Sequence, residues 1–122
     1  MVHFVGAGSG APDLITLRGA RLLGEADVVI YAGSLENPGL RTLTKPGCEV
    51  HDSAKLTLEE VIALIERAER EGKTTVRLHT GDPSIYGAVR EQFDALTECG
   101  INFDVCPGVS SFCGAAAALR AE

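Results

Sequence analysis

The sequence predicts an α/β domain of three layers, with about five mainly parallel strands in one sheet and helices on both faces. Apolar segments of strand length alternate about five times with amphipathic segments of helix length, the pattern of a doubly wound sheet with right-handed crossovers. The run Asp27-Val28-Val29-Ile30-Tyr31 is apolar without alternation beyond its first residue, as a strand covered on both faces requires. Fourteen glycines in 122 residues, well above average usage, fall largely between the segments. A length of 122 residues holds a single domain, 1–122.

In chain order, His3-Phe4-Val5 reads as a short buried strand broken by Gly6-Ala7-Gly8-Ser9-Gly10 and Pro12. Thr16 then caps a helix carrying Leu17, Ala20, Leu23 and Ala26. Asp27 to Tyr31 is the second strand, closed by Gly33, and a loop-rich stretch from Ser34 to Gly47 leaves room for a short helix at Leu40–Leu43. Cys48 to His51 forms a brief third strand. Thr57 and Glu60 make a capping box ahead of Leu58, Val61, Ile62, Leu64, Ile65 and Ala68 at helical spacing, with Gly72 as the C-terminal stop. Thr75 to His79 is the fourth strand. Asp82 and Pro83 fit the N-cap and first position of a helix bearing Ile85, Val89, Phe93 and Leu96, stopped by Gly100. Ile101 to Cys106 is the fifth strand, followed by a turn at Pro107-Gly108 and an alanine-rich helix capped by Ser110 or Ser111. That last helix, Phe112 to Glu122, ends without glycine or proline, so a longer protein with this chain as its N-terminal lobe is expected.

The net charge of −6 gives no field that would draw nucleic acid, and no apolar run reaches the length of a membrane span. No secretory signal opens the chain, and Cys48, Cys99, Cys106 and Cys113 form no CxxC pair, so reduced, mostly buried thiols in a cytoplasmic protein are expected. His3, His51 and His79 fall on three different strands and do not converge on a metal. Glu66, Arg67, Glu69, Arg70 and Glu71 read as the solvated face of their helix, with pairs such as Glu66–Arg70.

Open α/β sheets bind ligands beyond the C-terminal ends of their strands, and three glycine- or serine-rich segments fall there: 6–10, 80–82 and 107–111. The first satisfies the dinucleotide pattern G-x-G-x-x-G/A literally. Pro12 delays its helix, however, and the second strand ends Tyr31-Ala32-Gly33 with no carboxylate for a ribose, which disfavours NAD. A tight turn with no ligand is the plainer reading. In the second segment, Asp82 at a helix N-terminus stays ionised, able to cap the helix and to face a cationic cofactor. His79 either touches substrate or simply ends its strand, and Tyr31 and Tyr86 either face the cleft or pack beneath it.

The runs GAGSGAPDLITLRGARLLGEADVVIYAGSL, HTGDPSIYGA and PGVSSFCGAAAAL, in this order over nearly all 122 residues, resemble the tetrapyrrole methyltransferases of cobalamin and siroheme synthesis. The branch acting on precorrin-4 or cobalt-precorrin-4 is the most similar. The resemblance implies S-adenosylmethionine-dependent methylation of a ring carbon, C11, in a cleft between two α/β lobes, of which this chain resembles the first. Position by position, it implies cofactor contacts at Gly8, Ser9, Thr80, Gly81, Asp82, Ile85, Ser110 and Ser111, and a tetrapyrrole trough bordered by Tyr31, Ser34, Leu35 and Tyr86. Ser9 departs from the family's usual proline and Ala11 from its frequent aspartate. Arg18 and Arg21 are candidate partners for substrate carboxylates or plain surface residues. The lobe alone is expected to turn over little substrate, its catalytic base is not named by these residues, and a homodimer is expected; a non-catalytic, self-associating lobe is the alternative.

Overall fold

The computed structural model describes residues 1–7, 15–31, 42–79, 89–108 and 120. Among the described residues, nine elements follow one another: β1 (Val2–Gly6), α1 (Leu17–Glu25), β2 (Val28–Tyr31), β3 (Glu49–Asp52), a 3-10 turn (Ser53–Lys55), α2 (Leu58–Arg70), β4 (Thr75–His79), α3 (Arg90–Glu98) and β5 (Phe103–Cys106). The five strands make one sheet in the order β3-β2-β4-β1-β5, and every pairing is parallel.

The chain moves toward one edge of the sheet from β1 through β2 to β3, then reverses through β4 to β5. With right-handed crossovers, reversal sends the later helices to the opposite face. The two cores agree. Leu23 and Ala26, at the end of α1, pack with Val5, Val29, Val76, Leu78 and Cys106 on one face, while Val61, Ile62, Ile65 and Ala68 of α2 and Leu96 of α3 pack with Val2, Phe4, Val28 and Ile30 on the other.

The local signals act as expected at most boundaries. The Thr16 hydroxyl accepts from Gly19 N–H at 3.0 Å to start α1. Thr57 and Glu60 close a reciprocal capping box on α2, and Gly72 (φ +69°) and Gly100 (φ +70°) end α2 and α3 in the left-handed region. Two expectations fail. Thr42 and Leu43 form a turn rather than a helix, although Leu40 and Arg41 lie outside the described residues. A continuous helix from Pro83 to Leu96 does not form either: Val89 is the N-cap residue and α3 begins at Arg90, with residues 80–88 outside the described set. Gly87 and β-branched Val89 are weak helix formers within that stretch, which undercuts the periodic pattern.

The charged face of α2 is less solvated than its composition suggests. Arg67 pairs with Glu49 of β3, the N-terminal ammonium pairs with Glu69, and Glu66 accepts from the Cys99 thiol at 3.3 Å. No Glu66–Arg70 ion pair forms among the described residues. Of the thiols, Cys106 is buried, Cys48 is half-buried and Cys99 is exposed, and all three are free; Cys113 lies outside the described residues.

Candidate functional site

Strands β1 and β4 are neighbours, yet the chain leaves β1 for the α1 face and β4 for the α3 face. Adjacent strands whose connections part to opposite faces open a crevice beyond their C-terminal ends. The ladder here continues past the strands: Ala7 N–H donates to the His79 carbonyl at 2.6 Å, and Ala7 is buried. Gly6 lies opposite His79, Val5 opposite Cys106 and Tyr31 opposite Leu78. The segments beginning at residues 8, 80, 109 and 32 therefore leave from the same edge, off the four consecutive strands β1, β4, β5 and β2.

Of the candidate site residues, Tyr31 is the one described. It ends β2 half-buried and packs against the core beneath α1. Gly8, Ser9, Ser34, Leu35, Thr80, Gly81, Asp82, Ile85, Tyr86, Ser110 and Ser111 lie outside the described residues. Arg18 and Arg21 are exposed on α1.

His79 sits on the face covered by α3. Its ring stacks on Phe4 (centroids 5.9 Å apart, planes 15° apart), and Phe4 meets Phe93 and Phe103 edge-on at 4.8 and 5.6 Å. Its Nε2 is buried with no hydrogen-bond partner among the described residues. Burial, aided by the Arg77 charge, pushes the imidazole down to about 4, so it is neutral at pH 7. The ring is thus fixed from below by aromatic packing at the last residue before the crevice. His3 pairs instead with Asp104 (2.6 Å) across β1 and β5, and His51 with Glu49 (2.5 Å) on the outer strand β3. Among the described residues no three ligands cluster for a metal.

Sequence reasoning passed over Arg77. It is 6% exposed in the middle of β4, and its guanidinium donates to Gln92 Oε1 of α3 (3.0 Å), to the Ile30 carbonyl of β2 (3.3 Å), to the Leu78 carbonyl (3.5 Å) and to Ser53 Oγ (3.0 Å). Burial lowers it to about 10, leaving it charged at pH 7. The available signal was the alternation Thr75, Arg77, His79 within a strand expected to be apolar on both faces. On the other face, the Thr16 hydroxyl that caps α1 lies 3.8 Å from the buried Cys106 thiol, joining the start of α1 to the end of β5.

The strands that end at this edge are neighbours, and their ends are in register. The profile of the Tetrapyrrole (Corrin/Porphyrin) Methylases matches residues 1–122. A cobalt-precorrin-4 C(11)-methyltransferase of Methanocaldococcus jannaschii is 51% identical over 99% of this chain and 47% of its own length. The X-ray structure of a cobalt-precorrin-4 methyltransferase from cobalamin biosynthesis superposes with a TM-score of 0.95 at 48% identity, covering 99% of this chain and 51% of that one. A uroporphyrin-III C-methyltransferase from Thermus thermophilus, complexed with S-adenosylhomocysteine, gives 0.75 at 38% identity over 90% of this chain and 45% of that one. The chain thus spans about half the length of the relatives it matches. No helix among the described residues is long and apolar enough to cross a membrane. A five-stranded parallel sheet with its switch point between β1 and β4, matched by this profile over its whole length, belongs to the tetrapyrrole methylases.

Proposed function

We propose that the chain forms the N-terminal lobe of an S-adenosylmethionine-dependent methyltransferase acting on C11 of precorrin-4 or cobalt-precorrin-4 in cobalamin synthesis. One observation carries the reading: the four segments with the family-like motifs start from one sheet edge, around the β1/β4 crevice. The kinship with the cobalt-precorrin-4 enzymes supports the substrate class. The relative bound to S-adenosylhomocysteine supports the cofactor.

In this reading Gly8, Ser9, Thr80, Gly81, Asp82, Ile85, Ser110 and Ser111 contact the cofactor, while Tyr31, Ser34, Leu35 and Tyr86 border the tetrapyrrole. S-adenosylmethionine supplies an electrophilic methyl on a sulfonium. The lobe's part is to hold the donor and the acceptor carbon in line, an orientation effect worth several kcal/mol. Asp82 would supply a carboxylate to the cationic cofactor, and His79, neutral at pH 7, adds no positive charge at the end of β4. The free thiols fit a cytoplasmic setting. A homodimer is part of the proposal, and Leu17, 92% exposed at the start of α1, offers apolar surface for it; light scattering reads it.

Calorimetric titration with S-adenosylhomocysteine tests the function, using this chain and the longest polypeptide that carries it. Binding by the longer form and little by the chain alone is the expected result, because the cleft needs both lobes. Binding by neither overturns the reading.

A further inference from the structure

We infer that Arg77 is a positioning residue: its buried guanidinium sets the ends of β2 and β4 and the first turn of α3 in the one arrangement that lets the sheet edge hold its ligand. This rests on the reading of that edge as the cofactor site.

Among the described residues Arg77 binds four acceptors, all neutral, and no carboxylate. Glu91 lines the same cavity but makes no hydrogen bond to it among the described residues. Keeping a charge in a protein interior without an opposite charge is costly, and an apolar residue of similar volume is often at least as stable. What an apolar residue cannot supply is direction. The guanidinium is a planar fork of five donors, and its acceptors must lie near that plane.

Two of these acceptors lie one residue before the ends of β2 and β4, and the others flank them. Ile30 immediately precedes Tyr31, Leu78 precedes His79, Ser53 follows β3, and Gln92 lies in the first turn of α3. Ile30 is also the register partner of Arg77 across β2 and β4. Close packing at this corner is incomplete. A cavity of about 180 Å³, lined by Ser53, Leu56, Val61, Arg77, Glu91 and Gln92, separates the starts of α2 and α3. Val89, Phe93 and Leu96 anchor α3 in the core, and the Arg77–Gln92 bond fixes its first turn beside the cavity. Arg77 acts through the residues that end these strands.

The test uses the longest polypeptide that carries this sequence, with two variants. Arg77→Met/Gln92→Leu removes donor and acceptor together, so neither is left buried and alone. Gln92→Glu keeps the acceptor and adds a counter-charge. Urea midpoints, S-adenosylhomocysteine affinity and amide exchange over 28–31, 75–79 and 90–93 are measured for each. The double variant is expected to unfold at the wild-type midpoint or above it. Its affinity is nevertheless expected to fall at least tenfold, and exchange to quicken at Tyr31, His79 and the first turn of α3. Gln92→Glu is expected to keep wild-type affinity. Unchanged affinity and exchange in the folded double variant overturn the inference, as does loss of affinity in Gln92→Glu at wild-type stability. Affinity that tracks the unfolding midpoint through the series also overturns it, since the role is then structural alone. If the wild type binds no S-adenosylhomocysteine, the cofactor reading fails separately, and exchange at Tyr31 and His79 alone decides the case for Arg77.

Discussion

Replacing His79 with leucine removes a pH dependence that the fold builds into β4. The folded imidazole titrates near 4, against an ordinary value of 6.5. Between those values the unfolded chain binds the proton and the folded one does not, so stability rises with pH. The contribution is complete above about 6.5, is lost as pH falls, and levels off once the folded group also protonates, near 4. Integrating over pH 7 to pH 5 gives a loss of about 2 kcal/mol. Its sources are visible: the ring stacks on Phe4, its Nε2 is buried with no hydrogen-bond partner among the described residues, and Arg77 lies two residues before it on the same face. Urea unfolding of wild type and His79→Leu at both pH values isolates the effect, because all other titrating groups cancel in the difference. Wild type is expected to lose about 2 kcal/mol more than the variant on acidification. Parallel losses would refute the picture of a buried neutral imidazole.

Thr57→Ala removes half of the capping box in which Thr57 Oγ1 accepts from Glu60 N–H at 3.2 Å, and is expected to cost about 1 kcal/mol in urea unfolding. Gly72→Ala tests backbone strain alone: nothing lies within 4 Å of an added Cβ, so the φ of +69° sets a cost of about 1–2 kcal/mol. Gly19→Ala meets Val5 Cγ1 and Thr16 Oγ1 at 3.1 Å, pushing α1 off β1; a loss of about 1–3 kcal/mol, read by thermal unfolding, is expected. Phe4→Ala empties the centre of the aromatic cluster beneath His79 and is expected to cost about 3–5 kcal/mol.

What the sequence discloses is mostly local. Thr16, Thr57, Gly72 and Gly100 act within one helical turn, so their residue types alone mark the boundaries they form. The order β3-β2-β4-β1-β5 is not local: it depends on which helix covers which face, and alternation fixes only that the strands run parallel. The start of α3 illustrates the limit, since the apolar spacing of Ile85, Val89, Phe93 and Leu96 favours a longer helix than the one that begins at Arg90. Arg77 was hidden for the same reason. Its partners are 15, 24 and 47 residues away, and no window along the chain brings them together. The candidate site was legible as motifs through a family resemblance, and the topology brings the starting points of those motifs to one edge. Apart from Tyr31, the residues assigned to it lie outside the described set.

The interior position of β1 in the sheet has a consequence for the order of folding. Its partners are β4 and β5, with Val2 opposite both Thr75 and Phe103. During synthesis β1 therefore waits about seventy residues for one neighbour and about a hundred for the other, while β2 and β3 pair across a gap of some twenty. Such distant pairings make folding slow and leave apolar Phe4 and Val5 without cover during synthesis. The crevice between β1 and β4 thus forms only after some seventy further residues have followed β1 out of the ribosome.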